Sequence, residues 1–259
     1  MIVRPLGEQV QVVQQTDHDD LSGEFAEALR SSSLWRFWRR QSVVEACAEH
    51  DEGWRIWERA PDLDPVTGGA CDFLDVDLRR HLEFYRVAID EIAARDPYAG
   101  LLVSLHGTGV YRSRHGIDPA LTFQRLEQSE AELVSVFISE QEEGQRRLAA
   151  ELEVEPLEVW SAYRLLEVAD RFSLYFCRPR AGEEVEVGPL PGAVGEDVPL
   201  TLEPVDDWTV LLRPNPFGRE VSFELVRRLM PDRRWDAAAE FKRALEETPP
   251  EKVTVTVTV

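Results

Sequence analysis

Four of the five histidines in this chain and two of its aspartates have the types and spacing of a metal-dependent hydrolase site. In chain order they are His18, His50, Asp51, His81, His106 and Asp170. Imidazole nitrogens and carboxylate oxygens together form the borderline-to-hard ligand set that suits Zn, Fe, Mn or Ni, and such sites commonly perform hydrolysis. The set predicts one or two bound divalent transition-metal ions.

Apolar periodicity places these candidate ligands on separate predicted helices. Asp170 lies in a helix that is rich in apolar residues, where a carboxylate is costly unless it is paired or bound to a metal. His106 ends a nearly continuous apolar run, which predicts a central helix. The predicted helices begin near Thr16 and then cover 34–52, 75–94, 98–106, 120–150 and 156–177.

Glycine and proline become frequent after Arg180, and the short segments between them alternate apolar and polar residues. This pattern predicts the strands of a small antiparallel sheet. After Lys252, the tail alternates Val and Thr to residue 259, which favours an edge or closing strand. A predicted hairpin over 1–13 joins the same sheet. We therefore predict a helical domain over 14–180 and a β-rich appendage formed by 181–259 with 1–13.

Composition limits the partners and the compartment. The formal net charge is −20, from 49 acidic and 29 basic residues, which disfavours nucleic-acid polymers and anionic membrane surfaces. No apolar run approaches the roughly 20 residues of a membrane-spanning helix, and the N-terminus does not resemble a signal peptide. Cys47, Cys71 and Cys177 show no CxxC spacing, which is typical of free buried thiols. We predict a cytoplasmic protein.

The order His…His-Asp…Asp resembles that of the HD-domain superfamily of metal-dependent phosphohydrolases, over about residues 18–170. His81 and His106, between the dipeptide and the final Asp, resemble the added ligands of its binuclear members. The HDxG form of 50–53 is most similar to the HD-GYP branch, whose members open cyclic dinucleotides. The chain as a whole is more similar to a bacterial family of unknown function.

This resemblance implies an α+β fold: a mainly α-helical HD-type bundle with the small antiparallel sheet appended to it. It implies a first metal site at His18, His50, Asp51 and Asp170, and a second at Asp51, His81 and His106. The ions would position a hydroxide and polarise a phosphoryl oxygen, with Asp51 and His81 as the catalytic side chains.

The chain also departs from the HD-GYP pattern. Trp54 stands where that branch has Lys, Gly107 stands where it has a second adjacent His, and the GYP motif is absent. We therefore expect neither a third metal nor cleavage of cyclic dinucleotides. His18-Asp19 is a further HD dipeptide, but His50-Asp51 is preferred because a His precedes it on a separate helix and an Asp follows. For His81 alone, a partly solvated structural role is nearly as well supported.

Four further residues are candidates for binding substrate. Trp54 could stack on a base, although aromatic residues at helical spacing more often belong to the core. Arg112, Arg114 and His115 form a basic loop that could bind phosphate. A solvated structural role for this loop is at least as well supported.

The leading hypothesis is therefore a metal-dependent hydrolase of a phosphate mono- or diester, with a nucleotide-like small molecule as the substrate. The alternative is a catalytically degenerate HD-fold protein that binds a ligand or has a regulatory role, which the changes at Trp54 and Gly107 favour. A third hypothesis is oxidation at a mixed-valent di-iron centre.

Overall fold

The computed structural model describes residues 1–30, 39–112, 127–178, 183–191 and 197–259. The helices are α1 (Gln15–Arg30), α2 (Arg40–Glu49), α3 (Arg55–Glu58), α4 (Leu78–Arg95), α5 (Pro97–Tyr111), α6 (Gln128–Glu151), α7 (Pro156–Cys177) and α8 (Ala238–Glu247). The strands are β1 (Ile2–Leu6), β2 (Gln9–Val13), β3 (Val185–Glu186), β4 (Leu190–Pro191), β5 (Asp197–Val198), β6 (Thr201–Pro204), β7 (Thr209–Arg213), β8 (Val221–Pro231) and β9 (Glu251–Thr258). Short 3₁₀ turns lie at Glu52–Trp54 and Phe73–Asp75.

The main sheet has seven strands in the order β1-β2-β8-β9-β7-β6-β3, and β4 and β5 pair separately. Neighbouring strands are antiparallel except for β7 and β9, which are parallel. The N-terminal hairpin joins the sheet through β2, which pairs with β8. The two ends of the chain therefore contribute to one sheet.

The predicted fold class, a helical bundle with a small appended antiparallel sheet, is wrong. The protein has a mixed α+β fold in which the seven-stranded sheet is a major layer. The alternating tail is strand β9, which lies between β8 and β7 instead of at an edge. Its Val255 and Val257 are completely buried, so β9 is part of the core.

In the described residues, each predicted helical segment overlaps an observed helix. Within the predicted helix 34–52, α2 begins at Arg40, because Arg39 before it has a left-handed backbone with φ 46°. Residues 31–38 lie outside the described residues. Helix α6 begins at Gln128, and 113–126 also lie outside them. Helix α8 was not predicted. Its buried residues are Phe241 and Leu245, which form too short an apolar stripe to stand out in the sequence.

The larger of two hydrophobic cores in the described part of the chain connects the helices to the sheet. At its centre, the Phe25 ring of α1 lies 4.6 Å from the Phe172 ring of α7 and 6.2 Å from the Phe223 ring of β8, measured between centroids. Helices α1 and α7 therefore pack on the sheet as well as on each other. The division at residues 14 and 180 into two domains stays a prediction, and this core extends across it.

Small residues allow the helices around the candidate ligands to approach closely. A Cβ atom added at Gly23 of α1 would lie 2.6 Å from the Cβ of Ala48 in α2. A Cβ atom added at Gly53 would lie 2.0 Å from the backbone oxygen of Phe84 in α4. Real Cβ contacts are not this short, so the absence of a side chain at both glycines sets these crossings.

The cysteines Cys47, Cys71 and Cys177 are free and buried, which confirms the prediction from their spacing. Burial raises the pKa of the Cys71 thiol to about 12, so this side chain behaves as a small apolar group. Among the described helices, none combines the length and the apolar character needed to cross a membrane.

Candidate metal centre

Five of the predicted ligands meet where α1, α2, α5 and α7 converge. His18 lies in the first turn of α1, His50 and Asp51 directly follow α2, His106 lies on α5, and Asp170 lies on α7. Each of these residues is at most 6% exposed. Helix packing thus brings together side chains that are far apart in sequence.

The spacing of the ligand atoms suits a common cation. Donors bound tetrahedrally at about 2.1 Å are about 3.4 Å apart. The Nε2 atom of His18 lies 3.5 Å from Asp51 Oδ2 and 3.9 Å from Asp170 Oδ1. The Nε2 atom of His50 lies 3.5 Å from Asp170 Oδ1. These distances are long for hydrogen bonds and close to those between the ligands of one ion.

Neighbouring groups set the tautomer of His18. The Ser173 hydroxyl donates to the backbone oxygen of Asp170 at 2.8 Å, so it accepts from Nδ1 of His18, 2.6 Å away. The Nδ1 atom therefore carries the proton, and the Nε2 lone pair faces Asp51 and Asp170. This is how a metal-binding histidine is usually oriented by its second nitrogen.

His50 is oriented in the same way. Its Nδ1 atom donates to the backbone oxygen of Cys47 at 3.0 Å, and a carbonyl can only accept. Its Nε2 atom is buried and has no hydrogen-bond partner among the described residues, although it faces Asp170. A buried lone pair opposite a carboxylate requires a cation or a proton between them, so the residues present fit a metal ion.

The electrostatics of the centre favour positive charge. Burial alone would lower the pKa of His50, but the negative charges of Asp19, Asp170 and Asp51 raise it to about 10. Burial alone would raise the pKa of Asp51, but the neighbouring imidazoles of His18 and His50 hold it well below its usual range. Protons and a divalent cation therefore compete for the same lone pairs.

Two groups of side chains have ligand atoms within 4.8 Å of one another. One contains His18, Asp19, His50 and Asp51, and the other contains His50, His106 and Asp170. His50 belongs to both groups and is therefore the centre of the arrangement. The second set that the resemblance implies, Asp51 with His81 and His106, does not form such a group among the described residues.

His81 lies at the same pocket but has a different environment. Its Nδ1 atom is 2.5 Å from the hydroxyl of Tyr111 at the end of α5. Burial lowers the pKa of His81 to about 4, so its ring is neutral near pH 7. A neutral imidazole can exchange a proton with a ligand in the pocket.

The pocket combines the polar centre with apolar walls. It is lined by Gln15, His18, Asp51, Phe73, Leu74, His81, Tyr85, His106, Val110, Asp170 and Leu174. The hydroxyl of Tyr85 lies 3.3 Å from Nε2 of His106. Over the described part of the chain, the lining includes neither Lys nor Arg. A bound cation would therefore supply most of the positive charge that an anionic ligand meets.

Trp54 and Arg112, two of the four predicted substrate residues, are not part of this lining. Trp54 is 1% exposed, and its ring lies 4.8 Å from that of Phe84 and 5.1 Å from that of His81. Arg112 is exposed at the end of α5 and lies 2.5 Å from Glu142 of α6. Arg114 and His115 lie outside the described residues. Substrate binding by these four residues stays a prediction.

Sequence reasoning missed three residues of the centre: Asp19, Tyr85 and Ser173. Asp19 belongs to the HD dipeptide that was set aside in favour of His50-Asp51. Tyr85 follows His81 by one helical turn, and Ser173 follows Asp170 by three residues, so both share a helix face with a candidate ligand. Those intervals were the available signals.

Residues 1–232 match the family described as protein of unknown function, DUF3891. The chain belongs to the DUF3891 family. No curated protein and no solved structure is significantly similar to it. The DUF3891 match ends directly after β8, so it includes every residue of the candidate metal centre.

Proposed function

We propose that this DUF3891 protein is a metal-dependent hydrolase of a small phosphate ester, with an HD-type centre. The observation that carries the proposal is the buried Nε2 atom of His50, which faces Asp170 without a hydrogen-bond partner among the described residues. The Nε2 atom of His18 is directed in the same manner toward Asp51. The ordered ligand set therefore has the orientation that metal binding requires.

His18, His50, Asp51 and Asp170 would hold a divalent cation, and His106 would contact the same region. Fe, Mn, Zn and Ni all suit these donors, in one or two sites. When bound, such an ion polarises a phosphoryl oxygen and lowers the pKa of water. Ser173 and the Cys47 carbonyl hold the two imidazoles in place, and the apolar pocket walls exclude bulk water.

Two features support a small phosphate ester as the substrate. The order of the ligands resembles that of phosphohydrolases of the HD-domain superfamily. The described pocket lining lacks basic side chains, so an anionic group would be attracted to the metal itself. A nucleotide-like molecule would then place its phosphate at the centre and its apolar part against walls such as Phe73 and Leu174.

A catalytically degenerate binding protein is the second candidate, and Gly107 favours it. A Cβ atom added at Gly107 would lie 3.1 Å from the Tyr85 ring, so the ring would have to shift by a few tenths of an ångström to admit a side chain at this position. The ligand that the HD-GYP branch has at this position is thus absent here, and the Tyr85 ring packs closely against the glycine instead. Such a protein would bind the metal and a nucleotide without turnover.

The test is metal analysis of protein purified without chelator, followed by a screen for phosphatase and phosphodiesterase activity with each candidate metal. We expect at least one ion per chain and turnover that depends on it. A wild-type protein without bound metal would overturn the proposal. Bound metal and bound nucleotide without turnover under any metal would favour the second candidate.

Replacing His81 with glutamine should separate catalysis from metal binding. Because His81 belongs to neither group of mutually close ligands, we expect His81→Gln to retain the wild-type metal content. If its ring transfers a proton, turnover falls by about 10²–10⁴-fold. Tyr111→Phe, which removes only the hydroxyl next to Nδ1, is the matched control and should lose less activity. Loss of metal from His81→Gln would instead identify His81 as a ligand.

A further inference from the structure

The two His-Asp dipeptides of the chain contact each other crosswise. Asp19 Oδ1 of the first lies 3.1 Å from His50 Nδ1 of the second. Asp51 Oδ2 of the second lies 3.5 Å from His18 Nε2 of the first. The two imidazole rings meet edge to face, with centroids 5.0 Å apart. The dipeptides therefore form one unit, although they lie 32 residues apart.

Asp19 contacts both residues of the second dipeptide. Besides its Oδ1 contact with His50, its Oδ2 atom accepts the backbone N–H of Asp51 at 2.9 Å. The Asp19 side chain is 1% exposed, and a buried carboxylate is stable only when neighbouring groups compensate it. One carboxylate oxygen is therefore hydrogen-bonded to the segment that carries two of the proposed ligands, and the other lies beside the His50 ring of that segment.

The local backbone explains why this contact matters. In a continuous helix the N–H of residue 51 would donate to the carbonyl of Cys47, four residues earlier. Here α2 ends at Glu49, and the Cys47 carbonyl accepts from the ring of His50 instead. The displaced N–H of Asp51 donates to Asp19. Asp19 thus replaces a helical hydrogen bond at the point where the chain leaves α2.

We propose that Asp19 is a positioning residue that holds His50 and Asp51 in their metal-binding orientations. The inference rests on the proposed function, because it assigns Asp19 to the shell of groups that orient the ligands. A carboxylate next to the distal nitrogen of a ligating histidine fixes its tautomer and increases its basicity. In His50 the Cys47 carbonyl accepts the Nδ1 proton, while the Asp19 carboxylate beside Nδ1 increases the basicity of the ring and also fixes the backbone of the neighbouring Asp51.

The test compares Asp19→Asn with Asp20→Asn in the full chain. Both changes remove one carboxylate charge from the same turn of α1, but Asp20 is exposed. Co²⁺ affinity is measured by competition with a chelator, and the visible spectrum of bound Co²⁺ reports the ligand geometry. We expect Asp19→Asn to bind Co²⁺ about 10–100-fold more weakly and with an altered spectrum. Asp20→Asn should match the wild type in both.

Two results would overturn the positioning role. Equal Co²⁺ affinity and equal spectra in the two variants would show that Asp19 has no influence on the centre. Complete loss of Co²⁺ binding by a folded Asp19→Asn protein would make Asp19 a ligand itself. Thermal unfolding of the metal-free variants confirms that each is folded. Failure of the wild type to bind any metal would refute the proposed function instead.

Proton–nitrogen NMR of the metal-free protein tests Asp19 independently of metal. We expect the Nδ1 proton of His50 to resonate at low field in the wild type and in Asp20→Asn, because a carboxylate lies next to it. It should move upfield in Asp19→Asn. An unchanged resonance contradicts the inference. If Asp19→Asn does not fold, the absence of a low-field resonance in the wild type contradicts it equally.

Discussion

The double variant His50→Ala/Asp51→Ala is expected to lose the bound metal and all metal-dependent turnover. His50 belongs to both groups of mutually close ligands, and Asp51 contributes the carboxylate opposite His18. Removing both takes away a nitrogen and an oxygen donor from the same cation. Changing a residue that only orients a ligand typically weakens metal binding by about 10–100-fold. We expect the double variant to lose more metal affinity than that. Metal content per chain after purification without chelator is the measurement.

The matched control is Glu52→Ala/Arg55→Ala. This pair lies in the adjacent turn and forms an ion pair, and Arg55 is about half exposed, so the control removes one acidic and one basic side chain outside the centre. We expect it to retain wild-type metal content and turnover, since exposed ion pairs contribute about 0–1 kcal/mol to stability. Equal metal content in wild type and His50→Ala/Asp51→Ala would refute the metal centre.

Local sequence patterns predicted most of the helices that surround the site. Helix α4 has apolar residues at helical intervals, and its N-cap residue Asp77 accepts from the N–H groups of Arg79 and Arg80. The start of α5 followed from Pro97, which lies at its first helical position. These signals act within one or two turns. They depend little on the rest of the fold.

The sheet was underestimated because its pairing is between distant residues. The Val-Thr alternation of β9 predicts a strand but not its neighbours. In the fold, Val257 lies opposite Val210 in the parallel pairing with β7 and opposite Val221 in the pairing with β8. Only the complete strand order shows that β9 is the central strand and that the N-terminal hairpin, β1 and β2, forms one edge of the sheet next to β8.

Five of the six predicted ligands do meet, because each lies on, or directly after, a helix whose apolar face was readable from the sequence. Asp19 was not predicted, since its importance depends on where the chain leaves α2. Because α2 ends before Asp51, the backbone N–H of Asp51 donates to the carboxylate of Asp19. His81 also lines the pocket, but its ring contacts the hydroxyl of Tyr111, the last residue of α5. The sequence therefore predicted which residue types could be ligands. Which of them lie next to one another depends on tertiary packing, which the sequence pattern does not show.

Replacing Gly53 with alanine is expected to destabilise the protein and to weaken metal binding. The added Cβ atom would lie 2.0 Å from the oxygen and 2.7 Å from the carbonyl carbon of Phe84, so α4 and the turn after Asp51 must separate. Overpacking of this kind costs typically about 1–3 kcal/mol, and a backbone contact cannot relax as a side chain does. We expect about 3 kcal/mol or more, which lowers the unfolding midpoint by roughly 10 °C.

Gly144→Ala is the matched control, because it adds the same methyl group to α6 where nothing lies within 4 Å. A glycine inside a helix costs about 0.5–1 kcal/mol relative to alanine, so this variant should be slightly more stable than wild type. Its metal content should be unchanged.

Because Gly53 follows Asp51 by two residues, separating the turn from α4 also moves a ligand. Gly53→Ala should therefore bind metal more weakly even at temperatures where it stays folded. Wild-type metal affinity in a destabilised Gly53→Ala protein would show that the contact with Phe84 supports the fold without positioning the centre.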